Sequence, residues 1–262
     1  LPSCAPSLSA AKVGATGHLD QSRARSRPPP PSRPLMFGSL FKGWLGEKVT
    51  QFGLWHHLDE QVYRRFHDLI VPSRNGTTQI DHVLVSCYGI FVVETKNYNG
   101  WIFGDEHAPQ WTVSHFGKKF QFQNPLRQNF RHTQCLAAHL RLDPAKFLSV
   151  VFFIGDCELK TALPANVMTR GLSSHIQSFT AACLTPEEAG AVVTALAALK
   201  ANPALTSRAH LASLAARHDS TTVCPRCSSP LVERTARSGP NAGQSFLGCK
   251  GFPKCRFVRS RA

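Results

Sequence analysis

The sequence lacks several features that mark common protein classes. No apolar run reaches the 18 residues of a membrane-spanning helix, and the Gly-x-Ser-x-Gly, Walker and dinucleotide-binding fingerprints are absent, which disfavours the commonest hydrolases and nucleotide-binding proteins. Acidic residues are scarce, 16 against 30 Lys and Arg, and the net charge of +14 makes a polyanion the first candidate partner. The nine Cys are odd in number and unevenly spaced, which argues against a secreted disulfide framework.

The excess positive charge is concentrated near the C-terminus. Residues 222–262 contain eight basic residues, one acidic residue and four of the Cys, so half of the net charge lies there. A small, cationic, Cys-rich segment is typical of a nucleic-acid-binding module. A basic tail that only keeps the protein soluble is the alternative.

Composition divides the chain into four segments. Residues 1–35 contain seven Pro and four Arg and are predicted to be disordered or polyproline-like; because Met36 opens the first foldable segment, a mis-assigned start is also consistent with this stretch. Residues 36–200 mix strand and helix patterns and predict an α/β domain. Residues 201–221 are predicted to be a linker to the Cys-rich segment, residues 222–262.

The α/β segment shows clear periodic patterns. They predict a first helix over 37–58 and strands over 62–71, 78–86, 90–96, 101–103, 111–122 and 149–154. Asn124-Pro125 predicts the start of a second helix, because Asn is a good N-cap and Pro suits the first turn. Its buried stripe would consist of Leu126, Phe130, Thr133, Ala137 and Leu140. A last helix is predicted from Pro186 to Lys200.

Two of the predicted strands carry charged residues. Glu94 and Lys96 share one face, because side chains alternate along a strand. Asp81 joins them only in one hairpin register: if the numbers of opposed residues add to an odd value such as 175 or 177, Asp81 lies opposite or diagonal to that pair. A two-residue loop produces an odd sum, whereas a three-residue loop places Asp81 on the other face.

Charged groups on strands rich in Val and Ile are costly to bury without a purpose. Neighbouring carboxylates repel each other, and a divalent cation such as Mg²⁺ or Mn²⁺ relieves that repulsion. Such an ion can polarise a phosphodiester and acidify water, while Lys96 would orient the water or stabilise developing negative charge. The alternative is a surface salt bridge between Lys96 and Asp81 or Glu94, which stabilises a protein little.

The residues of this region resemble the nuclease-related domain (NERD) family, itself similar to the PD-(D/E)xK restriction-endonuclease-like superfamily. The resemblance covers about residues 43–155 and implies an α/β restriction-endonuclease-like core that cleaves DNA with a bound metal. The matching stretches are Gly46-Glu47, Thr77-Thr78-Gln79-Ile80-Asp81-His82-Val83, Gly89-Ile90-Phe91-Val92-Val93-Glu94-Thr95-Lys96, Asn99-Gly100-Trp101-Ile102 and Gln123-Asn124-Pro125-Leu126-Arg127-Gln128.

The resemblance implies roles for five residues: Mg²⁺ or Mn²⁺ ligation for Asp81 and Glu94, catalysis for Lys96, and auxiliary positions for Glu47 and Gln128. Two features depart from the pattern. An Ile residue, rather than Pro, precedes the predicted aspartate ligand, although the family commonly has an apolar residue there. Similar proteins often begin with a transmembrane helix, but here a Pro/Arg-rich segment stands in its place, so membrane association is not supported.

Four Cys near the C-terminus form two pairs, Cys224 with Cys227 and Cys249 with Cys255, separated by 21 residues. Each pair can close a tight knuckle around one ion, and four thiolates suit structural Zn²⁺. Because the segment has few large apolar residues, metal binding would supply most of its folding energy. Two disulfides are the alternative, which a reducing cytosol disfavours.

The Cys-rich segment also resembles the zinc ribbon in the C-terminal part of bacterial type IA topoisomerases, through Cys224-Pro225-Arg226-Cys227, Gly248-Cys249 and Phe252-Pro253-Lys254-Cys255. The resemblance implies binding of single-stranded DNA, and the residue types allow it, since aromatic rings stack on bases and basic side chains contact phosphates. We expect Phe246 to be the buried aromatic residue. The candidate DNA-binding residues are Arg234, Arg237, Phe246, Lys250, Phe252, Lys254, Arg256, Phe257 and Arg259.

Other residues receive simpler interpretations. Arg127 and Arg131, one turn apart on the helix after Asn124, are further candidates for DNA contacts. His82 should face away from its neighbour Asp81 and pack in the core. The remaining Cys with clear positions in the α/β segment are expected to be small buried hydrophobic residues: Cys87, Cys135, Cys157 and Cys183.

The sequence therefore predicts a cytoplasmic, bacterial, metal-dependent DNA nuclease with a zinc ribbon that holds single-stranded or branched DNA. No small-molecule cofactor is predicted. A non-catalytic DNA-binding or scaffold protein with an inactive nuclease-like core is the alternative. A third interpretation, an accessory to a topoisomerase, depends on the ribbon alone.

Overall fold

The computed structural model describes residues 57–260. The predicted Pro/Arg-rich segment, nearly all of the first predicted helix and the candidate Glu47 lie outside these described residues. Within the described range, no helix combines the length and the apolarity needed to cross a membrane.

A mixed five-stranded sheet forms the centre of the domain. Three antiparallel strands, β1 (Arg64–Ser73), β2 (Gly76–Ser86) and β3 (Gly89–Asn97), lie side by side. A second, four-stranded sheet begins with β4 (Gly100–Phe103), β5 (Gln110–His115) and β6 (Lys118–Gln123). The first sheet continues with β7 (Phe147–Ile154) and β9 (Val167–Met168), both added in parallel, and β8 (Cys157–Leu159) completes the second.

Within residues 57–260, four helices accompany the sheets: α1 (Pro125–Leu140), α2 (Leu172–Gln177), α3 (Pro186–Ala201) and α4 (Ser207–Asp219), with one 3₁₀ turn at Pro144–Lys146. Helix α1 starts as its sequence predicts, since the Asn124 side chain accepts hydrogen bonds from the backbone amides of Leu126 and Arg127. Helix α3 starts at a Thr185–Glu188 capping box.

The hydrophobic core lies on both faces of the central sheet. On one face, Val83, Val92 and their neighbours pack against α1 and α3. On the other face, Phe91 and Val93 pack with α2 and the turn around Leu58. A separate cluster around Trp111 joins the second sheet to β7. The C-terminal segment forms its own small antiparallel sheet from β10 (Leu231–Thr235), β11 (Ser245–Cys249) and β12 (Val258–Ser260).

Three local expectations need correction. The single strand predicted over 111–122 is a hairpin, because Phe116 and Gly117 both adopt left-handed φ angles in the two-residue turn between β5 and β6. Phe130 is 61% exposed, since α1 turns Asn129 and His132 toward the sheet instead. The segment 201–221, predicted as a linker, contains α4, whose His210 and Ser213 bind the β1–β2 turn through Thr77.

The four Cys of the α/β segment are less buried than expected. Cys87, Cys135 and Cys157 are half-buried and Cys183 is exposed, so none is a fully buried residue. Cys135 and Cys157 still pack beside hydrophobic clusters. Cys183 is exposed in the loop before α3, where its backbone amide, rather than its side chain, makes the structural contact by donating to the Cys87 carbonyl.

His82 packs in the core, as predicted. Its Nδ1 lies 2.8 Å from Nδ1 of His67 on the neighbouring strand, and it is 6% exposed. Burial, followed by the charge of His67, lowers the pKa of His82 to about 3, although the charge of Glu94 acts in the opposite direction. Because the unfolded chain binds this proton at about pH 6.5, acid should favour unfolding through His82.

We expect the free energy of unfolding of the wild type, relative to His82→Leu, to fall as the pH drops from about 6.5, by up to about 1.4 kcal/mol per pH unit. Urea unfolding between pH 7.5 and 5 measures this difference. The control is His218→Ala, which removes an imidazole whose side chain is 66% exposed and should leave the curve parallel to wild type. Parallel curves for His82→Leu would contradict the prediction.

Candidate functional site

The register of the β2–β3 hairpin places Asp81 beside Glu94. Paired residues add to 175 from Ser86 and Gly89 to the last pair, His82 and Val93, because the connection has only two residues. This is the odd sum that brings the charged residues to one face. Asp81 and Glu94 are the next pair after the ladder ends, and the charge of Glu94 acts on Asp81.

The Asp81 side chain bonds to β3 just beyond the last backbone pair of the β2–β3 ladder. Its Oδ2 accepts bonds of 2.9 Å from the amide and from the hydroxyl of Thr95 on β3, while Oδ1 has no hydrogen bond within residues 57–260. Burial and then the charge of Glu94 raise the pKa of Asp81 to about 6, and the Thr95 bonds and Lys96 only partly oppose this rise. In Asp81, Oδ2 is therefore hydrogen-bonded to Thr95, whereas Oδ1 can accept a further hydrogen bond or bind a cation.

Glu94 is 2% exposed and is compensated from two sides. Oε1 accepts a 2.5 Å hydrogen bond from Lys96 Nζ, and Oε2 lies 3.2 Å from His132 Nδ1. The contact between Glu94 Oε2 and His132 Nδ1 is close but not aligned as a hydrogen bond. Both atoms are buried and have no hydrogen-bond partner in the described structure. Burial alone would raise the pKa of Glu94, but His132 and Lys96 outweigh it and lower the pKa, so the carboxylate stays charged.

Gln128 completes the contacts of Lys96, whose Nζ donates to Gln128 Oε1 at 3.1 Å. The position of this glutamine depends on Asn124, which caps α1 and also donates through Nδ2 to the carbonyls of Asp105, Glu106 and Ala108. The loop before β5 thus fixes the start of the helix, and Gln128 lies one turn further along. Sequence reasoning placed Gln128 toward this site, and the structure brings it there.

Two residues of α1 were missed by sequence reasoning. His132 contacts Glu94, and buried Asn129 donates through Nδ2 to the carbonyls of Val92 and Val150, joining β3 to β7. The i, i+4 spacing of Gln128 and His132 is the signal that could have identified the histidine. By contrast, Arg127 and Arg131 lie on the exposed side of α1.

A four-cysteine cluster forms the second candidate site. The Sγ atoms of Cys224, Cys227, Cys249 and Cys255 all lie within 4.8 Å of one another, and no other such group of three or more His, Cys, Asp or Glu occurs in residues 57–260. Burial raises the pKa of Cys227, but hydrogen bonds from Ser229 outweigh it and lower the pKa to about 6. Four thiolates around one point are the donor set of structural Zn²⁺, and the cluster is consistent with that ion.

One face of the ribbon sheet presents aromatic and cationic groups. The Arg234 guanidinium lies 5.8 Å from the centre of the Phe252 ring, which is 57% exposed. Gly248 stands between Arg234 and Phe246, where a Cβ would come within 2.9 Å of Arg234 and 3.3 Å of the ring. Glycine is therefore required for these side chains to lie across the strand.

The expectation that Phe246 is the buried aromatic is wrong. Strand alternation puts Leu247 and Cys249 toward the small core and Phe246 on the opposite face. Phe257 packs against the cysteine cluster instead. The other candidate cations are exposed on the ribbon surface: Arg237, Lys250, Lys254 and Arg256.

Comparisons with known proteins agree with this two-part organisation. The chain matches the family model of the nuclease-related domain over residues 42–154 and that of the topoisomerase DNA-binding C4 zinc finger over residues 221–261. An uncharacterized protein of Bacillus anthracis is 38% identical over 157 residues, which are 56% of this chain and 72% of that protein. No solved structure matches the chain significantly.

Two topoisomerases match the ribbon. DNA topoisomerase 1 of Methanothermobacter thermautotrophicus is 54% identical over 37 residues, and that of Mycoplasmoides gallisepticum is 54% identical over 35 residues. These segments are 14% and 13% of this chain but only 4% of either topoisomerase. The match therefore concerns the ribbon and not topoisomerase activity.

The fold and the two sites define a protein with a mixed α/β core followed by a small four-cysteine module. The chain belongs to the nuclease-related domain family, and its C-terminal segment is a topoisomerase-type C4 zinc ribbon.

Elemental analysis of the folded protein should find one zinc ion per chain, because four clustered thiolates complete a tetrahedral site. We expect Cys227→Ser to lose the metal and to expose residues 222–262 to trypsin, since metal binding supplies the folding energy of such a small module. Cys183→Ser, an exposed Cys outside the cluster, is the matched control. Folded wild-type protein without zinc would contradict the assignment.

Proposed function

We propose that this protein is a metal-dependent phosphodiesterase that cleaves DNA through a restriction-endonuclease-like core. The observation that carries the proposal is the convergence of Asp81, Glu94 and Lys96 at the point where the β2–β3 ladder ends. A salt bridge kept for stability alone would sit more cheaply at the surface, because burying a charge costs several kcal/mol. Glu94 is buried nonetheless.

The carboxylates fit a divalent cation. At the two carboxylates, Asp81 Oδ1 and Glu94 Oε2 each lack a hydrogen bond within residues 57–260. Burial and then the charge of Glu94 raise the pKa of Asp81, and a cation would offset both effects. Oxygen donors suit Mg²⁺ or Mn²⁺, which keep several waters when bound. Such an ion, when bound, withdraws electron density from a phosphodiester and makes water more acidic.

The surrounding residues would position the reacting groups. Lys96 holds a positive charge beside Glu94 and can stabilise the negative charge that develops on a phosphate during attack. Gln128 orients the Lys96 ammonium through its 3.1 Å contact. His132 keeps Glu94 ionised from the other side and acts as a positioning residue.

The zinc ribbon would hold the DNA substrate. The exposed Phe252 ring can stack on a base, and Arg234 beside it can contact a phosphate. Stacking on a ring needs unpaired bases, so we propose single-stranded or branched DNA as the preferred form. We also propose a cytoplasmic location, because a reducing compartment keeps the four clustered cysteines out of disulfides and able to bind zinc.

Lys96→Ala and Asp81→Asn should each reduce Mg²⁺- or Mn²⁺-dependent cleavage of labelled DNA by about 10²-fold or more, because each removes a group that acts on the transition state. The matched control is Lys160→Ala: Glu158-Leu159-Lys160 repeats the same spacing, but Glu158 is 62% exposed. That control should cleave at the wild-type rate.

Two further measurements make this test decisive. Lys96→Ala leaves His132 as the one group within residues 57–260 that compensates the charge of Glu94, so the unfolding midpoint of each variant must be compared with that of the wild type. Asp81→Asn keeps an acceptor for the Thr95 amide and should fold normally. If wild type and both variants bind DNA but cleave it equally, the protein is not a nuclease at this site. A DNA-binding scaffold with an inactive core would then be the correct interpretation.

For the ribbon, Phe252→Ala should weaken binding of single-stranded DNA by about 1–3 kcal/mol, the usual loss for one stacked base. Arg234→Gln should reduce the slope of log affinity against log salt by about 0.7. Fluorescence anisotropy at several salt concentrations measures both. The control Phe116→Ala removes a ring that is 91% exposed on the β5–β6 turn. Equal losses for both Phe variants would argue against a specific stacking site.

A further inference from the structure

A cleft of about 520 Å³ opens where the β1–β2 turn, helix α4 and the zinc ribbon meet. Its lining includes Arg74 and Asn75 from the turn, Ser213 and Arg217 from the helix, and Val223 and Ser228 from the ribbon. None of the lining residues is acidic. Guanidinium, amide and hydroxyl donors around an open cleft are the groups that bind phosphate oxygens.

The positive charge of this cleft continues onto helix α1. Arg127 and Arg131 lie one turn apart on α1. Burial and then the charges of Arg217 and Arg127 lower the pKa of Arg131, so the charge of Arg217 on α4 acts on α1. Neither these three arginines nor Arg74 form an ion pair within residues 57–260; Arg217 instead donates to Asn75 Oδ1 at 3.4 Å. Like charges held together without a carboxylate repel each other, and a polyanion would remove that repulsion.

The β1–β2 turn that lines the cleft continues into β2, the strand that carries Asp81. Buried His210 of α4 bonds to the Thr77 hydroxyl at 2.8 Å. The charges of Arg217 and His132 both act on His210, and His132 contacts Glu94. Strand β2 therefore links the cleft to Asp81, and the side chains between α4 and α1 interact electrostatically.

One end of the cleft is fixed to the ribbon. Arg259 of β12 donates through Nη1 to the Ser220 carbonyl at the end of α4, at 2.8 Å. The turn itself lies tightly on the helix: Gly76 has φ +122°, and a Cβ there would come within 2.2 Å of Ser213 Oγ. These contacts hold the core, α4 and the ribbon around the cleft.

We propose that this cleft binds the sugar-phosphate backbone of a DNA strand and guides it from the zinc ribbon, past Arg74, Arg217 and Arg131, toward Asp81 and Glu94. The inference rests on the proposed function for the destination of the strand. It adds a phosphate-binding surface on α4 and on the β1–β2 turn, which sequence reasoning did not assign to any function.

The test compares DNA binding by full-length variants without added Mg²⁺ or Mn²⁺, so that no cleavage is required. Arg74→Gln and Arg217→Gln should each reduce the slope of log affinity against log salt by about 0.7 with single-stranded DNA, and the double variant by about twice that. The matched control is Arg208→Gln. Arg208 lies on the same helix, nine residues before Arg217, and therefore on its opposite face.

Two results would overturn the proposal. If the double variant retains the wild-type slope, the cleft does not contact DNA. If Arg208→Gln reduces the slope as much as Arg217→Gln, the effect comes from the net charge of the protein, and the cleft is not a specific binding site for the DNA backbone. Arg74 is exposed in a turn, so Arg74→Gln keeps the test informative should Arg217→Gln lower the unfolding midpoint.

A cleavage assay separates this proposal from the proposed function. At low DNA concentration with Mg²⁺, the cleft variants should cleave more slowly, whereas at saturating DNA their rate should approach wild type, because they act on binding. If no protein, wild type included, cleaves DNA, the nuclease proposal fails. The salt-slope result would still decide whether the cleft binds the backbone.

Discussion

The buried charge of Glu94 is the constraint on which the organisation of the core depends. A carboxylate at 2% exposure is tolerated only with close compensation, and two elements provide it. Strand β3 places Lys96 two residues along the same face, and α1 contributes His132 and Gln128, which holds the ammonium in place. The contacts of His132 and Gln128 depend on the position of α1, which the Asn124 cap and its bonds to the preceding loop determine.

The same helix relates the candidate catalytic site to the rest of the protein. Its inner side faces the carboxylates, and its outer side carries Arg127 and Arg131 toward Arg217 of α4. Helix α4 in turn contacts the ribbon through Arg259. The two modules that the comparisons recognise separately are thus joined through α4, which lies outside both matched ranges, and this junction is where we place the DNA path.

Much of the fold was predictable because local signals are strong in this sequence. The strands and the caps of α1 and α3 were close to their observed limits, since alternation and capping residues act over a few positions. The errors concern packing. Phe130 is exposed because Asn129 and His132 occupy the inward positions of α1. Phe246 is only half-buried because strand alternation turns Leu247 and Cys249 toward the small core instead. Helix α4 was missed because its stabilising contacts come from the distant β1–β2 turn.

By itself the sequence determined the chemical inventory: two carboxylates and a lysine in a hairpin, four cysteines in two pairs, and a cationic C-terminal module. It left the hairpin register open between two alternatives, because an odd and an even pairing sum satisfy the same alternation. Only the tertiary structure selected the register in which paired residues of β2 and β3 add to 175. It also buried Glu94 against His132 and formed a cleft from segments more than 130 residues apart. Local spacing constrains faces, but only packing brings distant faces together.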